Sequence, residues 1–275
     1  MENCLMNYFV VNAELKNSCE FNPDFFEAAP SIYEVIRVQE GVPLFLEEHQ
    51  KRFFNSASLL GVNISVAESQ IKSRVKAVIE SNGLQQGLIK FIFLIHPEVG
   101  ALFAAWVTPF FFPSTETYQK GIDVISFQGS RNSPNAKVSH QVVRQQADQL
   151  IKKRHVYEVM LVNQDGTITE GSRSNLFFVK DGILFTAHNN LILEGVTRGK
   201  IIELALKSGI DLVESEFKLS ELSDFEAAFI TGSTPKVLAI KKIDNQVFSV
   251  KNPVILHLSR QYELLIADYQ NKFRW

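Results

Sequence analysis

Short apolar segments separated by turn residues constrain the fold of this chain more than any other feature. In its second half, the segments YEVMLVN, TITEG, NLFFVK and ILFTAH follow one another, and QDG and KDG stand between some of them. Runs of this length, rich in branched and aromatic residues and bounded by turn-formers, are typical of strands joined as hairpins. The second half of the chain is therefore predicted to consist mainly of strands.

The first half combines segments of this kind with helical spacing. SIYEVIRV at 31–38 alternates as a strand does, and QEG then turns the chain into the short apolar segment VPLF. The next two segments, 46–61 and 66–83, have helical spacing and end at glycines, and LIKFIFLIH and ALFAAWV have the composition of buried strands. The sequence thus predicts a hairpin, two helices and two further strands.

Residues 108–121 are predicted to link two domains, because TPFFFPSTETYQKG has three turn-formers and little periodicity. We place a smaller N-terminal α/β domain at 1–115 and a larger, strand-rich domain at 116–275. Helices are predicted in the second domain at about 138–154, 197–209 and 253–270. The fold class is α/β, in the sense of a mixed α+β arrangement.

Composition and charge exclude several classes of protein. The chain has 28 Lys and Arg against 30 Asp and Glu, so no basic surface for nucleic acid is expected. It has 45% hydrophobic residues but no apolar run of about 18, which excludes both disorder and a membrane span. Cys4 and Cys19 have no disulfide or zinc spacing, and the first residues carry no export signal. We therefore expect a cytoplasmic protein without a structural metal.

Common catalytic motifs are absent from the sequence. GVTRGKI at 195–201 fails as a phosphate loop, because Glu194 and Ile201 occupy positions that require Gly and Ser or Thr. The six histidines form no HExxH pair, and neither a GxSxG elbow nor a GxGxxG dinucleotide fingerprint is present. Zinc proteases, α/β-hydrolases and Rossmann dehydrogenases therefore have no support.

Six weaker motifs occur together in one order: YEVIRV at 33–38, LEEHQKR at 46–52, Lys137, TEGSRSNLF at 169–177, LEGVTR at 193–198 and ITGST at 230–234. This set resembles the class IV aminotransferases, the fold-type IV family of pyridoxal phosphate enzymes. The family includes D-amino acid and branched-chain aminotransferases and aminodeoxychorismate lyase. The resemblance implies two α/β domains with pyridoxal 5'-phosphate at their interface, and an obligate homodimer.

The resemblance assigns the chemistry to two residues. Lys137, in the C-terminal domain, would form a Schiff base with the cofactor aldehyde and, once displaced, move the proton of the substrate Cα. Glu170 would face the pyridine nitrogen and keep it protonated, so that the ring can accept electrons. The alternatives from the residues alone are a solvated lysine at a helix start and a surface carboxylate near a turn.

Further residues match the cofactor-binding positions of the family. Arg52 would bind the phosphate, and Leu193 would pack on a face of the cofactor ring. Arg52 could instead form a surface ion pair with Glu48, and the TGST segment could be a simple turn. Amides and hydroxyls for the phosphate would come from Val196, Thr197, Ser233 and Thr234.

The chain also departs from the family pattern. Pro30 and Ser31 stand where members commonly carry a Gly-Asp pair, which leaves the shape of this loop open. Val142 replaces a tyrosine typical of branched-chain enzymes, and HPEVGALF lacks the carboxylate-binding Arg and His of D-amino acid enzymes. The candidates for substrate contacts are Tyr33, His96 and Arg131.

The resemblance implies ping-pong transamination between an amino acid and a 2-keto acid. One alternative is a lyase that uses the same cofactor and releases pyruvate, as aminodeoxychorismate lyase does. The other alternative is a non-catalytic relative that binds a ligand or partner. The joint presence of Lys137, Glu170 and Arg52 favours an enzyme, because binding alone requires neither a base nor an acid at the ring nitrogen.

Overall fold

The computed structural model describes residues 3–131, 134–139 and 142–275, which form two compact units. Within these residues, the first unit comprises 3–111, 136–139 and 266–275, and the second comprises 112–131, 134–135 and 142–265. The domain limits predicted from the sequence, 1–115 and 116–275, stay a prediction, because a compact unit is not by itself an independently folding domain.

The first unit is built on a six-stranded antiparallel sheet in the order β2-β1-β6-β5-β3-β4. The predicted hairpin, two helices and two strands are confirmed, whereas the hairpin β1-β2 and the short helix α1 were not predicted. The elements are β1 (Tyr8–Val11), β2 (Glu14–Asn17), α1 (Pro23–Phe26), β3 (Ile32–Gln39), β4 (Val42–Pro43), α2 (Leu46–Leu59), α3 (Glu68–Asn82), β5 (Gln86–His96) and β6 (Gly100–Thr108).

The two faces of this sheet carry different cores, because successive side chains of a strand point to opposite faces. On one face, Ile36 of β3 and Phe91 of β5 share a buried cluster with Phe53 of α2. On the other face, an aromatic cluster contains Phe26 of α1 and Trp106 of β6. Alternate side chains of SIYEVIRV therefore belong to the two different cores, and the buried Glu34 is on the face of β3 that packs against α2.

The second unit has a nine-stranded mixed sheet in the order β12-β11-β10-β13-β14-β7-β8-β9, and β15 pairs with β14. Its main core is aromatic and branched, with Phe178, Phe217 and Phe225 in contact. Its elements are α4 (Thr115–Lys120), β7 (Ile122–Gln128), α5 (Val142–Arg154), β8 (Glu158–Val162), β9 (Ile168–Gly171), β10 (Asn175–Lys180), β11 (Ile183–Thr186), α6 (Val196–Lys207), β12 (Leu212–Glu214), β13 (Ala227–Gly232), β14 (Lys236–Ile243) and β15 (Gln246–Val247). The last helix, α7 (Pro253–Lys272), contributes its residues from 266 onward to the first unit.

The linker predicted at 108–121 stays a prediction, and the boundary between the two units, after residue 111, falls inside it. The segment also contains the unpredicted helix α4, whose first turn is capped by a hydrogen bond from the Thr117 amide to Ser114 Oγ. The start predicted for the next helix was wrong. The helix predicted from 138 is described only from Val142, since Val138 and Ser139 pair with the start of β3. Residues 140–141 of that prediction lie outside the described residues. In both cases, hydrogen bonds that periodicity does not reveal determined the local structure.

The described part of the chain lacks two kinds of feature. None of its helices is both long enough and apolar enough to cross a membrane. Nor do the described residues contain a group of three or more His, Cys, Asp or Glu side chains placed to hold a metal ion.

Candidate active site

A buried carboxylate joins β3 to α2 in the first unit. Glu34 is fully buried, and His49 and Arg52 lie one helical turn apart on the facing helix. Arg52 donates from Nε to Glu34 Oε1 at 2.7 Å and from Nη2 to Oε2 at 2.6 Å. His49 Nδ1 lies 2.7 Å from the same Oε2. Two of the three guanidinium nitrogens of Arg52 are thus oriented by one carboxylate.

The charges of this cluster follow from its contacts. Burial by itself would raise the pKa of Glu34, but the charge of Arg52 and the hydrogen bonds from Arg52 and His49 lower it to about 2. Burial is the main reason why the pKa of His49 lies below its ordinary value, although the bond to Glu34 opposes this shift. At neutral pH, His49 is therefore an uncharged ring that donates from Nδ1, and Glu34 is an anion.

The backbone around Lys137 is fixed within the first unit. The Lys137 amide donates to Ser56 Oγ at 3.1 Å, and the Lys137 carbonyl accepts from the Tyr33 amide at 3.1 Å. Next to it, the Ser139 amide donates to the Ser31 carbonyl at 2.9 Å, and the Ser31 amide donates to Ser139 Oγ at 2.8 Å. Ser31, which departs from the family pattern, therefore helps to hold this segment.

The Tyr33 ring faces two ammonium groups. Lys137 Nζ and Lys90 Nζ each lie 4.8 Å from the centroid of the ring, and Lys90 Nζ lies 5.7 Å from that of Trp106. Lys90 is buried on β5, directly opposite Trp106 in the strand register. Contacts of this kind let an aromatic face stabilise a cation that is largely removed from water. Tyr33 and Lys137 are thus brought together as predicted candidates, and Lys90 joins them.

His96 is placed at the far end of β5, six residues beyond Lys90. It is buried, its Nδ1 accepts from the Glu98 amide at 3.1 Å, and its ring stacks on Phe25 with centroids 4.1 Å apart. Its Nε2 has no hydrogen-bond partner among the described residues. The structure therefore gives His96 a local packing role at the end of β5.

In the second unit, Glu170 lies at the end of β9 and is buried. Its Oε2 accepts from the Leu193 amide at 3.2 Å, and its Oε1 lies 3.1 Å from Arg131 Nε. Arg131 also donates from Nη2 to the Ser172 carbonyl at 3.0 Å. A cleft of about 380 Å³ is lined by Arg131, Glu170, Leu161 and Leu191, among others. The predicted acid and the predicted cation Arg131 therefore belong to one cluster.

The start of α6 exposes backbone amides. Gly195 is its N-cap residue and supplies no side-chain cap, so the amides of Val196 and Thr197 are those that a helix leaves without intrahelical partners. Asn175 Nδ2 donates to the Leu193 carbonyl at 2.8 Å, and a Cβ added to Gly195 would overlap Asn175 Oδ1. The close packing of Asn175 and Gly195 fixes the loop that leads into the helix.

Ser233 and Thr234 lie in the turn between β13 and β14. Thr231, at the end of β13, pairs with Asn175 of β10 and is fully buried. Its Oγ1 has no hydrogen-bond partner in the part of the chain that the structure describes. Hydroxyl groups therefore collect at this end of the sheet.

The chemistry of these groups fits pyridoxal 5'-phosphate. An amine at Lys137 suits the aldehyde, and a buried carboxylate at Glu170 suits a protonated ring nitrogen. The guanidinium of Arg52 and the amides at the start of α6 suit a phosphate. The donor set of the chain thus includes partners for the aldehyde, the ring nitrogen and the phosphate of this cofactor.

Three residues with direct roles in these clusters were not predicted: Glu34, His49 and Lys90. Lys90 had a signal, because it is the one charged residue in the apolar run GLIKFIFLI, and a charge in a buried strand is unusual without a specific role. Glu34 precedes a branched residue in a strand segment, so its burial could have been inferred only from knowing what covers both faces of that strand.

Comparison with known proteins gives a consistent result. The model of the class IV amino-transferase family matches residues 31–243, which is more than half of the chain. D-alanine aminotransferase from Bacillus licheniformis is 27% identical over 241 residues, covering 83% of this chain and 84% of that protein. The branched-chain-amino-acid aminotransferase of Pseudomonas aeruginosa is 26% identical over 258 residues, covering 86% of this chain and 84% of that protein.

Solved structures show the same fold. The branched-chain amino acid aminotransferase of Escherichia coli matches with a TM-score of 0.86 and 22% identity, and the match covers 98% of each chain. A second branched-chain amino acid aminotransferase, determined with pyridoxamine 5'-phosphate, matches with a TM-score of 0.87 and 24% identity over 99% of each chain. This likeness confirms the predicted fold class, which is the mixed α/β fold of the fold-type IV enzymes.

Proposed function

Because this chain belongs to the class IV aminotransferase family and is a pyridoxal-phosphate-dependent aminotransferase, we propose that it moves an amino group between an amino acid and a 2-keto acid in a ping-pong reaction. The observation that carries this proposal is the placement of Lys137. Its backbone is held by Ser56 and Tyr33, while its amine lies over the Tyr33 ring. A fixed backbone suits an amine that is alternately bonded to the cofactor and free, because the amine stays at the site in both states.

Lys137 would be the base of the reaction. When bound, pyridoxal phosphate withdraws the electrons left on the substrate Cα after its proton is removed. Lys137 Nζ, once released by the incoming substrate amine, would accept that proton from Cα and pass it to C4′ of the cofactor. The Tyr33 ring, 4.8 Å away, stabilises the ammonium form of Lys137 during this transfer.

Glu170 would hold a proton at the ring nitrogen of the cofactor. Its burial and its bond from the Leu193 amide fix the direction of the carboxylate. The contact between Arg131 and Glu170 supports a role for Arg131 beside this acid, in place of the substrate contact expected from the sequence. Leu193, whose side chain is buried, would pack on a face of the ring.

Arg52 and the start of α6 would bind the phosphate. Arg52 is oriented by Glu34, and Val196 and Thr197 offer amides at a helix N-terminus, where the helix dipole favours an anion. Ser233 and Thr234 would add hydroxyl donors. Tyr33 and His96 remain candidates for contacts with the substrate, and Tyr33 is favoured by its position beside Lys137.

We further propose that the enzyme works as a homodimer in the cytoplasm. The family resemblance supports the dimer, and the lack of a membrane-spanning helix among the described residues is consistent with this location. Relatives named for D-alanine and for branched-chain amino acids make a panel of L- and D-amino acids the appropriate set of donors to test.

The test begins with the visible absorption spectrum of the purified protein, before and after borohydride reduction, followed by mapping of the labelled lysine. We expect the label on Lys137, its loss in Lys137→Ala, and its retention in the matched control Lys90→Ala. Amino transfer from donor to keto acid is then followed directly. Pyruvate release without a second keto acid would indicate the lyase instead, and a label on another lysine would refute the assignment of Lys137.

A further inference from the structure

Glu158, at the start of β8, is a buried carboxylate with an unusually complete set of hydrogen bonds. Its Oε1 accepts from the Val159 amide at 2.8 Å and from Ser172 Oγ at 2.6 Å. Its Oε2 accepts from the Arg173 amide at 3.2 Å and from Ser174 Oγ at 2.8 Å. Each oxygen thus meets one backbone amide and one hydroxyl, so both carboxylate oxygens are fully used as acceptors.

The turn that follows β9 is built around this carboxylate. The Gly171 amide donates to the Ser174 carbonyl, and the Ser172 amide donates to the Val159 carbonyl, each at 2.8 Å. A Cβ added to Gly171 would overlap Ser174 Oγ and lie 3.2 Å from Glu158 Cδ. The turn therefore closes tightly on Glu158, and a glycine is needed where the two approach.

The same turn is tied to the Glu170 side chain. The Ser172 carbonyl accepts from Arg131 Nη2 and from Arg144 Nη1, each at 3.0 Å. Arg131 Nε lies 3.1 Å from Glu170 Oε1. The Arg131 guanidinium thus joins the Ser172 carbonyl, which Glu158 helps to place, to the Glu170 carboxylate, which precedes the turn.

We propose that Glu158 is a positioning residue for Glu170. By accepting four bonds it fixes the turn 171–174, whose Ser172 carbonyl holds Arg131. The ion pair of Arg131 with Glu170 then acts together with the hydrogen bond from the Leu193 amide to fix the direction of the Glu170 carboxylate. This inference rests on the proposed role of Glu170 at the ring nitrogen of the cofactor. It adds a second carboxylate, which acts on the site through its neighbours.

Glu158→Gln is the discriminating variant. An amide nitrogen in place of either oxygen would face a backbone N–H, so one donor would oppose another and the turn would shift. We expect kcat to fall by about tenfold or more with a smaller change in KM, as is common when the partner of a functional residue is lost. The pH dependence of the absorption spectrum of the bound cofactor should also shift, because Glu170 would hold the ring proton less well.

Asp165→Asn is the matched control, since it makes the same chemical change at the exposed turn of the same β8–β9 hairpin. It should leave both kcat and the spectrum unchanged. If Glu158→Gln does not fold, Ser174→Ala removes a single donor to Oε2 and should shift the spectrum in the same direction by a smaller amount. Wild-type kcat and spectrum in the folded variant would overturn the proposal.

Amide hydrogen exchange of the wild type and the folded variant, without added cofactor, gives a readout that does not depend on activity. The amides of Ser172 and Arg173 should exchange faster in Glu158→Gln, whereas unchanged protection would also overturn the proposal. A wild-type protein that transfers no amino group would refute the proposed function. In that case, hydrogen exchange would still show whether Glu158 holds the turn.

Discussion

Replacing Glu34 by glutamine should destabilise the first unit in a way that depends on pH. In the wild type, Glu34 Oε1 accepts a hydrogen bond from Arg52 Nε. Glu34 Oε2 accepts hydrogen bonds from Arg52 Nη2 and His49 Nδ1. In Glu34→Gln, the amide nitrogen must face an N–H of Arg52 in either orientation. The variant therefore loses a charge and also places two buried donors against each other.

The size of the effect follows from the pKa of Glu34, which is about 2 in the folded protein against a normal value of 4.5. A difference of this size corresponds to about 3 kcal/mol of stability at neutral pH. Because the pKa of this carboxyl is lowered by folding, its stabilisation is complete above the normal value and is lost as pH falls from 4.5 towards 2. Glu34→Gln should therefore cost about 3 kcal/mol at pH 7 and progressively less in acid.

His49 adds to the acid sensitivity of the wild type. Its pKa is lowered by folding, so below its ordinary value of 6.5 the unfolded chain binds more protons than the folded one. Stability should therefore begin to fall as pH drops below that value, before Glu34 is titrated.

Urea unfolding of the protein without added cofactor, followed by tryptophan fluorescence, measures this directly. Both tryptophans, Trp106 and Trp275, belong to the unit that contains Glu34. The control is Glu116→Gln in the exposed pair with Lys120, which should cost no more than about 0.5 kcal/mol. A loss below about 1 kcal/mol for Glu34→Gln at pH 7, or a loss that is the same at pH 7 and pH 3, would refute the reasoning.

Three further predictions concern the cofactor and the base. Gly195→Ala should weaken binding of pyridoxal phosphate by roughly 5- to 150-fold in a fluorescence titration. The reason is that the new Cβ displaces Asn175 from its buried hydrogen bond to the Leu193 carbonyl. An affinity equal to that of the wild type would contradict this. Arg52→Lys should weaken cofactor binding about tenfold in the same titration, since lysine keeps the charge but lacks the planar guanidinium that Glu34 orients. An unchanged Kd would argue against phosphate binding by Arg52. Tyr33→Leu should lower kcat/KM by about fivefold or more in steady-state assays. Tyr33→Phe keeps the ring that faces Lys90 and Lys137, so its kcat/KM should stay within about twofold of the wild-type value. Equal effects of the two changes would exclude a role for the ring.

Periodicity predicted the larger elements because each follows from local spacing. β3 alternates along its length, and α2 and α3 end close to the glycines that mark their C-termini in the sequence. The short helix α4 was missed since its six residues are too few to show a hydrophobic period, and it is defined mainly by the Ser114 cap and Gly121. The start of α5 was misplaced because Val138 and Ser139 pair with β3, which is distant in sequence.

The residues of the candidate site likewise differ in whether local sequence reveals them. Lys137, Glu170 and Arg52 could be named because motifs in a fixed order carry them. Their partners could not be named, since the contacts of Glu34 with Arg52 and of Glu158 with Ser172 join different elements. Arg131 shows this limit most clearly: its charge suggested a substrate carboxylate, whereas its nearest acid in the structure is Glu170.

The bidentate contact between Glu34 and Arg52 also bears on the entropy of association. Immobilising a long side chain at a binding surface usually opposes binding by about 0.5–1.5 kcal/mol. In this protein the guanidinium is already confined by two bonds to a buried carboxylate. An anion that reaches Arg52 therefore meets a side chain whose rotational freedom was lost during folding, and more of the contact energy remains for affinity.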